Sequence, residues 1–511
     1  MTAPHGIDAS FTALPYRRMA EAALARAQDF HVSHADFRFE RIRSQDVKVR
    51  DGRLQGASDS EDVGFAVRVV LNGAWGFASG VGLGQTAAIQ VTETAIRTAQ
   101  VAAAMTSRPI ELAPEPAYPD VEWVSAYEVD PLSVPLADKV DLLSDWTQKL
   151  LAAGGVQHAS GTLQQVVENK FYTDLAGTTT TQQRVRLQPV VEAFGSDERT
   201  GVFDSMRTIA PPVGRGWEYL VGDGYDWAGE LAELPDLLAE KLAAPSVEAG
   251  RYDLVIHPSN LWLTIHESVG HATELDRALG YEANYAGTSF ATIDKLNTLQ
   301  YGSPVMNVTG DRTQPHGLAT IGYDDEGVQT QSWDIVKDGV LVGYQLDRSM
   351  AHMHPELNGG RSNGCAYADS PGHIPIQRMA NVSLQPARDV DGGGPSTDEL
   401  IGRVERGIYV VGDKSWSIDM QRYNFQFTGQ RFYRIEDGRL AGQLRDVAYQ
   451  ATTTDFWSSM EAVGGPDTYV LGGAFNCGKA QPGQVASVSH GCPTALFRDV
   501  NVLNTTAEGT G

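Results

Sequence analysis

Asp253-Leu-Val-Ile-His-Pro-Ser-Asn-Leu-Trp-Leu-Thr-Ile-His-Glu-Ser-Val-Gly-His271 reads as a strand, a turn and a helix in immediate succession. Asp253 to His257 is a short apolar run bounded by a turn, the pattern of a buried strand. Pro258-Ser259-Asn260 supplies the turn and an N-cap, and the apolar-periodic residues that follow predict a helix. Within that helix His266, Glu267 and His271 form a His-Glu-x-x-x-His pattern. Two imidazoles can hold a divalent zinc ion, and a neighbouring carboxylate that is not a ligand can take the proton of an attacking water. Zinc hydrolase chemistry is the first expectation.

The spacing is one residue longer than the common His-Glu-x-x-His signature. On a regular helix, residues four apart differ by about 40° around the axis and residues five apart by about 140°. A straight helix would aim His266 and His271 at different faces. One wide turn with bonding from i to i+5 absorbs the extra residue and reunites the imidazoles, and Gly270 is the expected place for it.

Composition narrows the function classes. The chain has 511 residues, 42% hydrophobic and 20% charged, enough for two or three domains of ordinary globular character. With 64 acidic residues against 40 Lys and Arg, the formal charge is −24, and no basic surplus exists to neutralise the phosphates of nucleic acid. Met1 to Ala20 lacks the apolar core of a signal peptide, and no run approaches the roughly 18 apolar residues of a membrane helix. The expectation is a cytoplasmic protein with neither a nucleic-acid nor a membrane partner. Three cysteines, Cys365, Cys477 and Cys492, are too few and too odd a set for a disulfide framework.

Helical periodicity over residues 15 to 29 gives way to alternation at Phe37 and Phe39, Val47 and Val49, Phe65, Val67 and Val69, and Trp75 and Phe77. These are half-buried antiparallel strands, with Asp51-Gly52 and Asn72-Gly73 as two-residue hairpin turns. Helices are expected near 84–105, 135–153 and Trp227 to Ala243, with strands through about 158–212. Periodicity lapses over Ala244 to Gly250, which marks a boundary between an N-terminal α+β domain, 1–245, and a C-terminal β-rich domain, 246–511, that carries the motif helix. The fold class is α+β, with further Asp-Gly turns at Asp338-Gly339 and Asp437-Gly438.

A zinc site needs a third protein ligand. Cys477 lies in Gly472-Gly-Ala-Phe-Asn-Cys-Gly-Lys479, a glycine-rich segment where Lys479 would favour the thiolate. Cys365 also lies in a turn-like segment, Cys492 sits beside a histidine in His490-Gly-Cys-Pro493, and the residues alone prefer Cys477 only slightly. His352 and His354 could share one face of a strand, yet no acidic or thiol partner stands at diagnostic spacing and their neighbourhood reads as a glycine-rich loop. Glu274 and Asp276, one turn beyond His271, could orient a ligand imidazole, and Glu274 could itself ligate or simply face solvent.

The segment His266 to Asp276 resembles the metal-binding helix of the TldD/PmbA family, in its TldD-type subunit. Four further stretches agree: Arg43 to Leu54 with Gly64 to Arg68, Asp311 to Thr320, Gly359 to Asn363 with Ile374 to Asn381, and Cys477-Gly-Lys479. The resemblance implies His266, His271 and Cys477 as zinc ligands and Glu267 as the catalytic carboxylate. It implies a metallopeptidase acting on unfolded or short peptides, working as a homodimer or as a heterodimer with a paralogous TldE/PmbA-like subunit. The tail Pro482 to Cys492 is longer and more polar around Ser487 to His490 than the family element, which bears on substrate preference. Two other readings stay open. One is an amidase that trims a modified peptide or a peptide-linked metabolite, and the other is a non-catalytic peptide-binding subunit with a structural metal. A cysteine nucleophile at Cys477 with His490 as base is a distant third reading.

Overall fold

The computed structural model describes residues 5–387, 393–480 and 482–506. The N-terminal part holds a sheet of seven strands. From one edge inward its strands run Ala74–Gly80, Arg53–Leu71, His34–Arg50, His158–Asp174 and Thr179–Asp197 in spatial order, all antiparallel. Val121–Val124 pairs parallel and Val202–Arg207 antiparallel with the last of these. The expected hairpin turns are present: Asp51 and Gly52 have φ of 52° and 71°, and Asn72 and Gly73 have 51° and 74°. Positive φ at both central residues gives a turn whose twist matches that of the flanking strands. Helices Tyr16–Gln28 and Gln85–Ala103 seal one apolar face around Phe37, Phe39 and Phe65, while Leu136–Ala152 and Trp227–Ala243 seal another around Leu163, Leu187 and Val191.

Beyond residue 250 the chain is mainly β, as its pattern predicts. Strands Arg406–Ile418, Gly250–Ile256, Ala495–Asn504, Val447–Thr452 and Asn424–Glu436 pair in that order, and the first and last also pair with each other. The sheet therefore closes into a five-stranded ring with few free edges. The strand that opens the decisive sequence stretch is its parallel member, bonded to Arg406–Ile418, and Leu254 and Ile256 lie in the main core. Residues Leu261, Leu263, Ile265 and Val269 carry the following helix into the same core. A two-stranded hairpin, Val470–Lys479 with Gln484–Cys492, packs over that helix. Asn381–Leu384, from a small four-stranded sheet, packs behind the hairpin.

The N-terminal sheet meets the C-terminal half through buried charges. Lys170 Nζ lies 2.7 Å from Asp325 and donates to the Ala368 carbonyl, and Arg68 bridges Asp36 and Glu326. Each buried charge has an opposite partner, which offsets a desolvation cost of several kcal/mol per ion. Among the described residues, no helix is long and apolar enough to cross a membrane.

Candidate metal centre

The helix Pro258–Ile265 starts at a different cap from the one the sequence suggests. His257 is the N-cap, its ring nitrogen accepting from the Ser259 amide at 3.2 Å, and Pro258 takes the first helical position, where a missing N–H costs nothing. The expected wide turn is present: His266 to Gly270 is one turn of π-helix, with the His271 amide donating to the His266 carbonyl. Such a turn leaves nearby carbonyls without their usual helical donors. Side chains satisfy them. Tyr301 donates to the Ser268 carbonyl, Gln345 to that of Gly270 at 2.8 Å, and Thr273 to that of Val269 at 2.8 Å. Ser268 bonds back to the Thr264 carbonyl and receives the indole N–H of fully buried Trp457. Gly270 is needed there for space rather than for backbone freedom, because its φ of −54° is ordinary while an added Cβ would lie 2.6 Å from Met379 Sδ.

The turn brings His266 and His271 ring to ring, with centroids 4.7 Å apart. Cys477 arrives from the hairpin, and one donor atom from each of the three residues lies within 4.8 Å of the others. All three residues are buried. Cys477 Sγ is 3.6 Å from His271 Nε2. A tetrahedral ion with the usual zinc–sulfur and zinc–nitrogen bond lengths would set its ligands roughly 3.6 Å apart, so this pair fits a zinc-sized ion without rearrangement. Borderline nitrogen and soft sulfur donors suit zinc better than calcium or magnesium. Among the described residues no fourth His, Cys, Asp or Glu joins this group.

The surroundings prepare both imidazoles as neutral donors. Burial holds the His271 ring down to about 3, with Arg422 adding to the effect. Burial also places His266 well below its ordinary value, helped by the neighbouring His271 and His490. His271 Nδ1 is 2.8 Å from Glu274 Oε2, so that carboxylate accepts the ring proton and frees Nε2. Glu274 is fully buried, not solvated, and accepts from Lys479 at 3.1 Å. Burial opposes its ionisation, but Lys479 and His271 keep it well below the usual carboxylate range.

Lys479 does not stand free beside the thiol as its sequence position suggests. Its ammonium goes to Glu274, Asp276 and Gln377, because Val470–Lys479 is an ordered strand and not a flexible loop. Burial accordingly pushes the Cys477 thiol up to about 12. Metal ions displace such protons, since the thiolate is the ligand. Arg378 fixes the strand by donating to the Cys477 carbonyl at 2.6 Å.

Glu267 is buried beside the cluster but outside it. Arg422 Nη1 donates to its Oε2 at 2.6 Å from a backbone at φ 63°, a strained conformation for arginine. Burial raises the Glu267 carboxyl against the pull of Arg422. Cys365 and Cys492 lie elsewhere; the latter points its thiol at the Pro258 carbonyl. His352 belongs to a short helix, Arg348–Met353, and not to a loop or strand, and it pairs with Glu111 while His354 pairs with Glu356. Sequence reasoning missed Arg422, which no motif flags, and the contact of His490 with His266. A cleft of about 320 Å³ is walled by Trp262, Trp416, Tyr225, Pro211 and the start of the cysteine strand at Val470 to Ala474; the donor residues and Glu267 do not line it, and it nears them through Trp262, whose ring stands edge-on to that of His266.

Two family models match the chain: the PmbA/TldA metallopeptidase C-terminal domain over residues 249–504, and the PmbA/TldA metallopeptidase domain 1 over residues 35–105. The chain belongs to the TldD/PmbA family. A relative from Methanothermobacter thermautotrophicus, named a metalloprotease, is 26% identical over 93% of this chain and 96% of its own. Another, from Saccharolobus solfataricus and named a zinc metalloprotease TldD homolog, is 22% identical over 94% of this chain and 98% of its own. The crystal structure of TldE from Thermococcus kodakarensis has the same fold, with a TM-score of 0.66 and 16% identity over 95% of this chain and 99% of that one. The mixed α+β architecture is thus that of the TldD/PmbA family.

Proposed function

We propose that this chain is a zinc-dependent metallopeptidase that hydrolyses unfolded or short peptides, with His266, His271 and Cys477 as metal ligands and Glu267 as general base. The observation that carries the reading is the buried His/His/Cys group with a carboxylate beside it that is not part of it. The names of the relatives support it. A zinc ion held by these residues would supply a Lewis acid for the scissile carbonyl and an activated water. Glu267 takes a proton from the attacking water at a carboxylate oxygen and returns it to the leaving amine. Arg422 holds Glu267 in place and keeps a positive charge beside the reacting atoms.

The cleft beside Val470 to Ala474 suits an extended peptide laid along the strand, bound by main-chain hydrogen bonds that read little side-chain sequence. The alternative of a structural metal is disfavoured, since structural zinc sites normally close with four protein ligands and Glu274 is already engaged by His271 and Lys479. We further propose domains at 1–245 and 246–511 and a dimer, formed either by two copies or with a TldE-like subunit, the latter suggested by the TldE fold match.

The test is digestion of a mixture of unfolded peptides, followed by mass spectrometry, with the chain alone and together with its paralogue. Cleavage abolished by a zinc chelator and restored by zinc is expected. No cleavage by zinc-loaded protein in either arrangement would overturn the assignment.

A further inference from the structure

His490 is fully buried on the strand Gln484–Cys492 and enters no step of the mechanism above. Its two ring nitrogens are both committed. Nδ1 lies 2.7 Å from the Val382 carbonyl, and Nε2 lies 2.7 Å from His266 Nδ1. A carbonyl oxygen can only accept, so the proton of the His490 ring must sit on Nδ1. The Nε2 of a neutral His490 is then an acceptor, and the proton in its contact with His266 must be the one on His266 Nδ1. That leaves Nε2 as the unprotonated nitrogen of His266. The 2.7 Å separation is that of a hydrogen bond, shorter than the roughly 3.3 Å between two imidazole nitrogens bound to one tetrahedral zinc, so His490 is not a fourth ligand.

We propose that His490 is a positioning residue that relays the Val382 carbonyl to His266 and so fixes the ligand tautomer and ring orientation of His266. It matches the service that Glu274 performs for His271, with a neutral ring in place of a carboxylate. The ring is set by its surroundings on both sides. The Ser489 amide bonds Asn381 Oδ1 at 3.1 Å and the Gly491 amide bonds Ser383 Oγ at 2.9 Å, which pins the backbone flanking His490 to the strand that offers Val382. His490 also lies in the polar stretch Ser487 to His490. The relay gives that polarity a role at the metal ligand instead of at the substrate.

The inference rests on the metal reading of His266, and its test separates the two. Wild-type protein, His490→Phe and His490→Gln are compared for zinc affinity by chelator competition, and 15N-histidine NMR of the metal-free wild type reads the His266 tautomer. Phenylalanine keeps the ring volume without an acceptor, whereas glutamine offers an amide oxygen at the ε position. The relay predicts the Nδ1–H tautomer in the wild type, zinc affinity about 10–100-fold weaker in His490→Phe, and affinity within a few-fold of wild type in His490→Gln. Thermal melting of each metal-free variant checks that it is folded. Unchanged affinity in His490→Phe, or an equal loss in both folded variants, would overturn the relay. Failure of the wild type to bind zinc would overturn the metal reading instead, and the tautomer then decides the relay: Nδ1–H supports it and Nε2–H overturns it.

Discussion

Replacing Glu267 with glutamine isolates the proposed proton transfer from everything else at the site. The two side chains have the same shape, and the amide oxygen can still accept from Arg422 Nη1, now 2.6 Å from Glu267 Oε2. What is lost is the ability to take and return a proton, a contribution of typically about 10²–10⁴-fold, which is about 3–5 kcal/mol of barrier. Two stability effects oppose each other. Removing a buried carboxylate relieves its desolvation, while Arg422, itself mostly buried, loses its charge partner but keeps a hydrogen bond. The net change should fall well below the roughly 3–5 kcal/mol of stranding a buried charge entirely. Metal content should not change, because Glu267 is outside the donor group. Initial rates on a fluorescence-quenched peptide, normalised to zinc per chain, measure the effect. A zinc-loaded Glu267→Gln protein that cleaves at the wild-type rate would refute the assigned role.

Two further predictions follow from buried groups outside the reacting atoms. Glu274→Gln removes the negative charge that receives the His271 ring proton and leaves Lys479 with Asp276, so zinc affinity by chelator competition should fall about 10–100-fold; an unchanged affinity would contradict the orienting role. Lys139 is buried with Gln45 as its hydrogen-bond acceptor, and burial pushes its ammonium down to about 8 despite the pull of Asp130 and Asp59. Between about pH 8 and 10.5 the unfolded chain then binds more protons at this position than the folded one, so the penalty is complete below that window and fades as pH rises through it. Lys139→Met should stabilise the protein in urea at pH 7 by about 1–2 kcal/mol, allowing for solvent screening. The gain should shrink by pH 10, and a gain that is constant with pH would rule out this cause.

Much of the site was legible because its parts are local. The strand, turn and helix from Asp253 to His271 each follow from short-range patterning, and the five-residue histidine spacing itself demanded the π turn that His266 to Gly270 form. The Asp-Gly and Asn-Gly turns were equally readable, since positive φ at both residues is a property of those pairs. The closure of the C-terminal strands into a ring was not readable, because it depends on Arg406–Ile418 pairing with both Gly250–Ile256 and Asn424–Glu436 across long separations. The same holds for Arg422 and His490, which reach Glu267 and His266 across 155 and 224 residues. Spacing places Lys479 near Cys477 but gives no sign of Glu274 and Asp276, the carboxylates that capture it.

Zinc per chain, measured by elemental mass spectrometry on the wild type and on Cys477→Ser in parallel, decides whether the three donor residues hold a metal. About one zinc in the wild type and a lost or much weakened site in the mutant are expected. A well-folded wild type without zinc, or a mutant that keeps the metal with undiminished affinity, would contradict the His266, His271 and Cys477 centre.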